Sequence, residues 1–384
     1  MGMILITIGA FHTLPHGDFS HCALQFRGIK MNLPRFALRP ATTHLAAALA
    51  LCVGMAGITS ASAQEKILNL YSARHYDTDE ALYADFTRQT GIVINRIEGG
   101  EDSLIERIRN EGARTPADVL ITVDAGRMWR AEEAGLLQGV KSKILESRIP
   151  AHLRDPNGMW FGFSVRARVI FFDKSKVAVT ALSRYEDLAD PKWMRKLCAR
   201  SGSHIYNLSL TASMISALGE AGAESWARGV TKNLARSPRG GDTDQIAGVA
   251  SGECPIALAN TYYYARLARS AKPEDRLIAD KVGVIFPNQG TKDRGTHVNI
   301  SGAGIIKTAP HRDNAILFLE YLASDSAQRH FTEGNNEWPA VATVAIENTA
   351  LGALGKFRHD TQNIAAFGKN QPNAQKLLDR AGWK

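Results

Sequence analysis

The sequence lacks the short motifs that mark common classes of enzyme. There is no G-x-S-x-G nucleophile elbow, no H-E-x-x-H zinc motif and no phosphate-binding P-loop. The glycine-rich stretch "GGEDS" at 99–103 has no phosphate-loop lysine, so it predicts a loop and the start of a helix. Glu98, Asp118 and Asp124 are interpreted as ordinary acids at strand ends and in loops. An exported enzyme is therefore the less favoured interpretation, and we expect no enzymatic activity.

Runs of one charge are also missing. The formal net charge is +8, but lysine and arginine are not gathered into basic clusters. Proteins that bind nucleic acid concentrate such residues on one face or along one helix. The composition therefore gives no support to a nucleic-acid partner.

Long hydrophobic runs are scarce, and the clearest one lies near the N-terminus at 45–60. It is short and rich in small residues for a membrane span. Arg35 and Arg39 precede it and Ala61-Ser62-Ala63 follows it, which is the pattern of a secretory signal peptide. We expect the signal proper at about 31–63, an upstream extension at 1–30, cleavage after Ala63 and export to the periplasm. A lipoprotein anchored at Cys52 is less favoured, because Leu51 is large for the position before the modified cysteine.

Cysteine is rare, with 4 in 384 residues. Two of these precede the predicted cleavage site, which leaves Cys198 and Cys254 in the mature chain. An even pair in an exported protein can form one disulfide. Two separate buried thiols are the alternative, and the sequence leaves both open.

Strand-like and helix-like segments alternate along the mature chain, which is typical of α/β domains with a largely parallel sheet. Two long extended runs, at 159–174 and 296–307, interrupt the alternation and could cross between two α/β lobes. Periplasmic binding proteins have this architecture, with a hinge at the crossovers and a ligand in the interlobe cleft. The expected N-terminal lobe comprises 64–164 and about 289–339. The expected C-terminal lobe comprises about 165–288 and 340–384.

Tyrosine is also uncommon, yet 3 of the 9 tyrosines are consecutive in "NTYYYAR" at 260–266. Other tyrosines follow predicted strands, at Tyr76 and Tyr206, where an open α/β sheet presents its ligand groups. Phenolate oxygen is a hard anionic ligand that suits Fe(III). Stacking on an organic ligand is the alternative. Adjacent helical residues diverge by about 100°, so Tyr262 and Tyr263 could share an ion only from a loop or a first helical turn, with Asn260 or Thr261 as N-cap.

Several segments resemble the periplasmic ferric-iron-binding proteins of bacterial ABC iron importers, which have a type II two-lobed fold. The resemblance is carried by "LYSARHYDTDEALYADFTRQTGI", "TPADVLITVDAGRMWRAEEAGLL", "CARSGSHIYNLSL", "ALANTYYYARL", "NISGAGIIKTAPHRDNAILFLEYLAS" and "NNEWPAV". It extends over essentially all of 66–384 and is greatest to the subgroup that uses several tyrosines and a histidine. It implies Fe(III) as the transported ligand, an inner-membrane permease as partner and a monomer. A small organic or oxyanion ligand on the same fold is the alternative.

The resemblance also implies roles for particular residues. The implied metal ligands are His75, Tyr76, Tyr206, Tyr262 and Tyr263. Arg166 and Arg266 match basic residues that balance phenolate charge near the metal. Tyr264 stands where the family has an aliphatic residue, so we expect it to pack rather than to bind.

Overall fold

The computed structural model describes residues 65–74 and 76–384, so the predicted signal segment and His75 lie outside the described residues. The strands are Ile67–Ser72 (β1), Val93–Glu98 (β2), Val119–Thr122 (β3), Leu137–Gln138 (β4), Phe161–Asp173 (β5), Leu197–Cys198 (β6), Ile256–Asn260 (β7), Val282–Ile285 (β8), Val298–Ile306 (β9) and Trp338–Pro339 (β10). The α-helices are Asp79–Thr90 (α1), Glu101–Glu111 (α2), Ala125–Glu133 (α3), Lys143–Arg148 (α4), Ile205–Asn233 (α5), Asp242–Ala250 (α6), Thr261–Ala268 (α7), Pro273–Lys281 (α8), Arg312–Leu322 (α9), Asp325–Asn335 (α10), Thr349–Ala353 (α11) and Ala365–Ala381 (α12). Among these described helices, none has both the length and the apolarity to cross a membrane.

The long strand β5 belongs to two groups of strands. Its first half pairs with β9, from Phe161 opposite Ala303 to Ala167 opposite Val298. Its second half pairs with β7 and β8, beginning with Arg168 opposite Asn260. The strand order is β2-β1-β3-β9-β5 in the first group and continues β5-β7-β6 in the second. The two extended runs expected from the sequence are therefore adjacent strands, and β5 connects the two groups.

The first group has the parallel β-α-β order that the alternating sequence predicted. β1 pairs in parallel with both β2 and β3, and α1 and α2 connect them along the chain. α1 ends at Gly91, which adopts a left-handed conformation with φ of 72°. The pattern of "AGRMWRAEEAGLL" is typical of a helix, but α3 stops at Glu133. Gly135, with φ of 68°, turns the chain so that Leu137 can begin β4 against β9.

The second group contains the two cysteines of the mature chain, and the structure joins them in a disulfide. Cys198 lies in β6, and Cys254 precedes the neighbouring parallel strand β7. Both cysteines are fully buried. Every residue of the neighbouring strand β7 is buried, as expected for a strand that is covered on both faces.

Candidate metal centre

Tyr262 and Tyr263 lie in the first turn of α7, directly after β7. Asn260 is in an extended conformation and is the N-cap residue, yet its side chain does not cap the helix. Its Oδ1 instead accepts a hydrogen bond of 2.9 Å from Arg168. The two tyrosine rings lie 4.2 Å apart, inclined by 31°. The strand-to-helix junction therefore gives the first-turn placement that a shared ion would require.

Tyr206 lies in the first turn of α5, and its hydroxyl group reaches that of Tyr262. The Nδ1 atom of the N-cap residue His204 accepts a 3.3 Å hydrogen bond from the Tyr206 backbone, and the two rings pack edge to face at 4.5 Å. The hydroxyl groups of Tyr206 and Tyr262 are 3.0 Å apart. Two helices distant in sequence thus bring their N-terminal phenols into hydrogen-bond contact.

Tyr76, which follows β1, completes a group of four phenols. Burial is the largest effect on the pKa of Tyr76 and, with the carboxylate of Glu337, raises it to about 12. Tyr263 contributes to the same increase, although Arg166 and Arg74 oppose it. Burial also raises the pKa of Tyr206 and of Tyr262, and each of these is raised further by Tyr76 and Tyr263. The four phenols are therefore close enough that ionisation of Tyr76 or Tyr263 would disfavour ionisation of Tyr206 and Tyr262.

Two buried arginines lie beside these phenols. The guanidinium of Arg166 is 5.7 Å from the centre of the Tyr262 ring, and that of Arg74 is 4.9 Å from the Tyr76 ring. Both donate hydrogen bonds to the hydroxyl of Ser301. Both also approach Glu337, with Arg166 at 3.2 Å and Arg74 at 3.6 Å.

The charges of this buried group balance. Arg74 makes two further contacts of 2.8 and 2.9 Å with Asp79, so two arginines face two carboxylates. Glu337 is fully buried and also accepts a hydrogen bond from Ser164. Sequence reasoning assigned no role to Arg74 or Glu337. Both lie within motifs that carried the family resemblance, in "ARHY" and "NNEW".

Arg266 is placed differently from Arg166. It is exposed, lies 5.1 Å over the Tyr263 ring and donates a 3.1 Å hydrogen bond to Thr243. Among the ion pairs of the described residues, none joins Arg266 to a carboxylate. Its positive charge is therefore available to the phenols.

Two predicted residues remain, Tyr264 and His75. Tyr264 packs its ring 5.8 Å from Phe171, consistent with a packing role. His75 lies outside the described residues. Within 65–74 and 76–384, no group of three or more His, Cys, Asp or Glu side chains is arranged to hold a metal ion.

The arrangement can offer hard anionic oxygen ligands to a highly charged cation. Without a cation, burial raises the pKa of Tyr76, Tyr206 and Tyr262 and so favours their neutral forms. A bound trivalent ion would favour the phenolates, as a metal lowers the pKa of its ligands. Because the nearby arginines and carboxylates already balance, the phenolates themselves would neutralise the cation.

Residues 114–354 match the family of bacterial extracellular solute-binding proteins. The chain belongs to this family. Over 329 residues, this solute-binding protein is 50% identical to iron uptake protein A1 of Synechocystis, and the match covers 86% of this chain and 91% of the relative. Its structure is similar to that of FutA (IdiA) from Trichodesmium in complex with iron and citrate, with a TM-score of 0.80 and 57% identity, covering 83% of this chain and 100% of that one.

The ferric binding protein of Campylobacter jejuni is a further structural neighbour. Its TM-score is 0.78 at 38% identity, and the match covers 83% of this chain and 100% of the neighbour. The solute-binding protein therefore has the two-lobed type II fold of these neighbours, which confirms the fold class expected from the sequence.

Proposed function

We propose that this solute-binding protein captures Fe(III) in the periplasm through tyrosine phenolates and delivers it to an inner-membrane ABC permease. The proposed ligands are Tyr76, Tyr206, Tyr262 and Tyr263, with His75 as a fifth. The observation that carries the proposal is the 3.0 Å contact between the Tyr206 and Tyr262 hydroxyls, with Tyr76 and Tyr263 beside them. Relatives named for iron uptake, and a neighbour that holds iron, support it.

The ligands would come from both proposed lobes. Tyr76 belongs to the N-terminal lobe, 64–164 and about 289–339. Tyr206, Tyr262 and Tyr263 belong to the C-terminal lobe, about 165–288 and 340–384. A metal that needs ligands from both lobes binds the closed form more tightly than the open one, so it shifts the population toward closure. We propose a carrier that acts as a monomer and catalyses no reaction.

Delivery requires export to the periplasm. We propose that the segment before Gln64 contains the signal peptide that directs this export. Cleavage after Ala63 would release a mature chain that starts one residue before the described range. N-terminal sequencing of protein recovered from the periplasm tests the position. A start at Gln64 is expected, whereas a lipid-modified Cys52 would contradict the proposal.

Ferric loading of the mature protein tests the proposed site. Phenolate ligation of Fe(III) should give a visible charge-transfer band that persists after desalting, with about one ion per chain by metal analysis. The matched control is Tyr206→Phe/Tyr262→Phe, which keeps both rings and removes both oxygens. A parent protein that stays colourless and metal-free after loading would overturn the proposal. If a small organic or oxyanion ligand stabilised that protein instead, binding of such a ligand would become the proposed function.

A further inference from the structure

Each cysteine of the disulfide lies at the same distance in sequence before one of the proposed ligands. Cys198 precedes Tyr206 by eight residues, and Cys254 precedes Tyr262 by eight residues. The disulfide joins the two segments at one end, and the two phenol hydroxyls meet at the other. We propose that the Cys198–Cys254 disulfide positions the Tyr206–Tyr262 pair for metal binding. This inference rests on the proposed ligand set.

At the disulfide end, the two segments start from neighbouring strands. β6 and β7 are parallel, with Leu197 opposite Ile256 and Cys198 opposite Ala257. Helix α6 covers the bond with Gly248, where an added Cβ would lie 3.4 Å from each sulfur. The sulfurs therefore lie in a closely packed contact between two strands and a helix, which fixes where each segment begins.

At the phenol end, Arg168 ties the same two segments together. It donates to Asn207 Oδ1 at 2.7 and 3.1 Å and to Asn260 Oδ1 at 2.9 Å. Asn207 follows Tyr206 directly, and Asn260 lies two residues before Tyr262. Each segment is thus held both where it leaves the disulfide and where it presents its phenol.

Asp242, the first residue of α6, reinforces this end. It accepts a 2.8 Å hydrogen bond from the backbone of Asn260 and pairs with Arg168 at 3.1 Å. The helix that covers the disulfide therefore also anchors the arginine that holds both segments. Arg168 and Asp242 are buried. The connection from disulfide to phenols runs through contacts that exclude water.

A metal bound by both phenolates would join the two segments at the phenol end, as the disulfide joins them at the other end. The two segments, the disulfide and the metal would then form a closed ring. Two phenolates about 3 Å apart repel each other, so a site that forms them needs a scaffold that resists separation. Without the disulfide, the two segments are joined along the chain only through the residues between cysteines 56 positions apart. A longer connection lowers the effective concentration of one ligand near the other. The disulfide would thus lower the cost of ordering both ligands around one ion.

A double-mutant cycle tests this inference. The four proteins are the parent, Cys198→Ala/Cys254→Ala, Tyr206→Phe and the triple variant. The probe is Ga(III), a trivalent ion without accessible redox chemistry, titrated against nitrilotriacetate and followed by phenolate ultraviolet difference absorbance. We expect loss of the disulfide to weaken Ga(III) binding by about 10- to 100-fold in the parent, as for residues that orient metal ligands. In the Tyr206→Phe background the further loss should be less than threefold.

The outcomes separate this inference from the proposed function. If Tyr206→Phe alone leaves Ga(III) affinity unchanged, the proposed ligand set is wrong. If Tyr206→Phe weakens binding but disulfide loss has the same effect in both backgrounds, only the positioning role is overturned. Leu319→Ala in α9, a fully buried residue outside the site, is the control for general destabilisation. It should lower the unfolding temperature while Ga(III) affinity stays within about twofold.

A second measurement applies if the double-cysteine variant fails to fold. The disulfide of the folded parent is reduced, the reductant is removed without oxygen, and Ga(III) binding is titrated at once. Weakened binding that recovers on reoxidation supports the positioning role. Unchanged affinity in protein whose free thiols have been counted would overturn it.

Discussion

Three consecutive tyrosines occupy three different environments at the start of α7. Tyr262 is buried near Arg166, and Tyr263 stacks on it beneath the exposed Arg266. Tyr264 turns away and packs near Phe171. Successive side chains on a helix point about 100° apart, so only part of such a run can face one point. All three residues are tyrosines, so their chemistry is the same. Only their positions in the helical turn distinguish the proposed ligands Tyr262 and Tyr263 from the packing residue Tyr264.

The Tyr-to-Phe series along this turn should therefore be uneven. Tyr262→Phe and Tyr263→Phe keep the packed ring but remove a proposed ligand oxygen, and each should weaken ferric binding by at least about 100-fold. Tyr264→Phe is the matched control and should change affinity by less than about twofold. Competition titration with a ferric chelator measures all three variants. Equal losses in all three would contradict the assignment.

Arg266 should affect the choice between oxidation states. Four phenolates around Fe(III) carry one surplus negative charge, and around Fe(II) they carry two. Removing the positive charge 5.1 Å from the Tyr263 ring should therefore penalise the ferrous complex more. We expect Arg266→Ala to raise the ferric-over-ferrous preference roughly fivefold, since an exposed charge contributes about 1 kcal/mol at such distances.

The corresponding readout is the reduction potential of the bound iron, which should fall by roughly 40 mV. Arg269→Ala is the control, because Arg269 follows α7 and contacts Glu333 at 3.7 Å instead of a phenol. A potential that shifts equally in both variants would assign the effect to general surface charge.

At the scale of elements, the sequence was most informative where the pattern is local. The strand–helix order, the end of α1 at Gly91 and the strand before "TYYYAR" follow from periodicity and glycine placement. The contacts of Asn260 could not be predicted from the local pattern, because its side chain binds Arg168 instead of capping α7. The buried positions of Arg168 and Glu337 depend on partners far away in the chain. A pattern of single residues does not reveal such long-range pairing.

Helix α2 carries a buried carboxyl that should make stability depend on pH. Glu101, its first residue, accepts a 3.0 Å hydrogen bond from the backbone of Val123. Burial, and then the charge of Asp124, raise the pKa of Glu101 from 4.5 to about 7. The folded state thus retains a proton that the unfolded chain releases, so this group lowers stability as pH rises from 4.5 to 7.

Replacing Glu101 by Gln should remove that dependence. At pH 8 we expect Glu101→Gln to raise the free energy of unfolding by about 1–3 kcal/mol, and near pH 4 the difference should largely vanish. Denaturant unfolding of the metal-free protein at several pH values measures this. Glu106→Gln is the control on the exposed side of the same helix, where its pairing with Arg109 contributes little. Glu101 also lies 3.5 Å from the guanidinium of Arg127. Destabilisation by Glu101→Gln at pH 8 would show that this ion pair outweighs burial.

At the scale of the whole molecule, hydrogen bonds join elements of the two strand groups near the phenols. Asp124, the N-cap of α3, accepts hydrogen bonds of 2.8 Å from Ser209 on α5 and 3.2 Å from Gln371 on α12. Asn299 on β9 contributes another of 2.7 Å. α3 follows β3 of the first group, whereas α5 carries Tyr206 beside the second. These hydrogen bonds hold together the elements of the two strand groups that bring Tyr76 to the other phenols. They do so without any contribution from the proposed metal.

Metal capture by the whole protein should be coupled to proton release. Burial holds the pKa of Tyr76 at about 12 and raises that of Tyr206 and Tyr262, so these phenols are neutral before metal binds at pH 7. Each phenol that becomes a ligand must lose its proton. Ferric affinity should therefore fall as pH falls, by about tenfold per pH unit for each proton released.

Loading in weakly buffered solution measures that release directly. After correction for protons exchanged by the ferric chelator, we expect about four protons per Fe(III) bound, one for each proposed tyrosine ligand. Tyr262→Phe should release about one fewer, if enough metal is supplied to saturate it, and Tyr264→Phe should match the parent. Release of less than one proton per ion, or an affinity independent of pH between 6 and 8, would mean that neutral groups bind the metal. Because each phenol adds its own proton, the stoichiometry counts the tyrosine ligands and tests the four-tyrosine assignment without a bound structure.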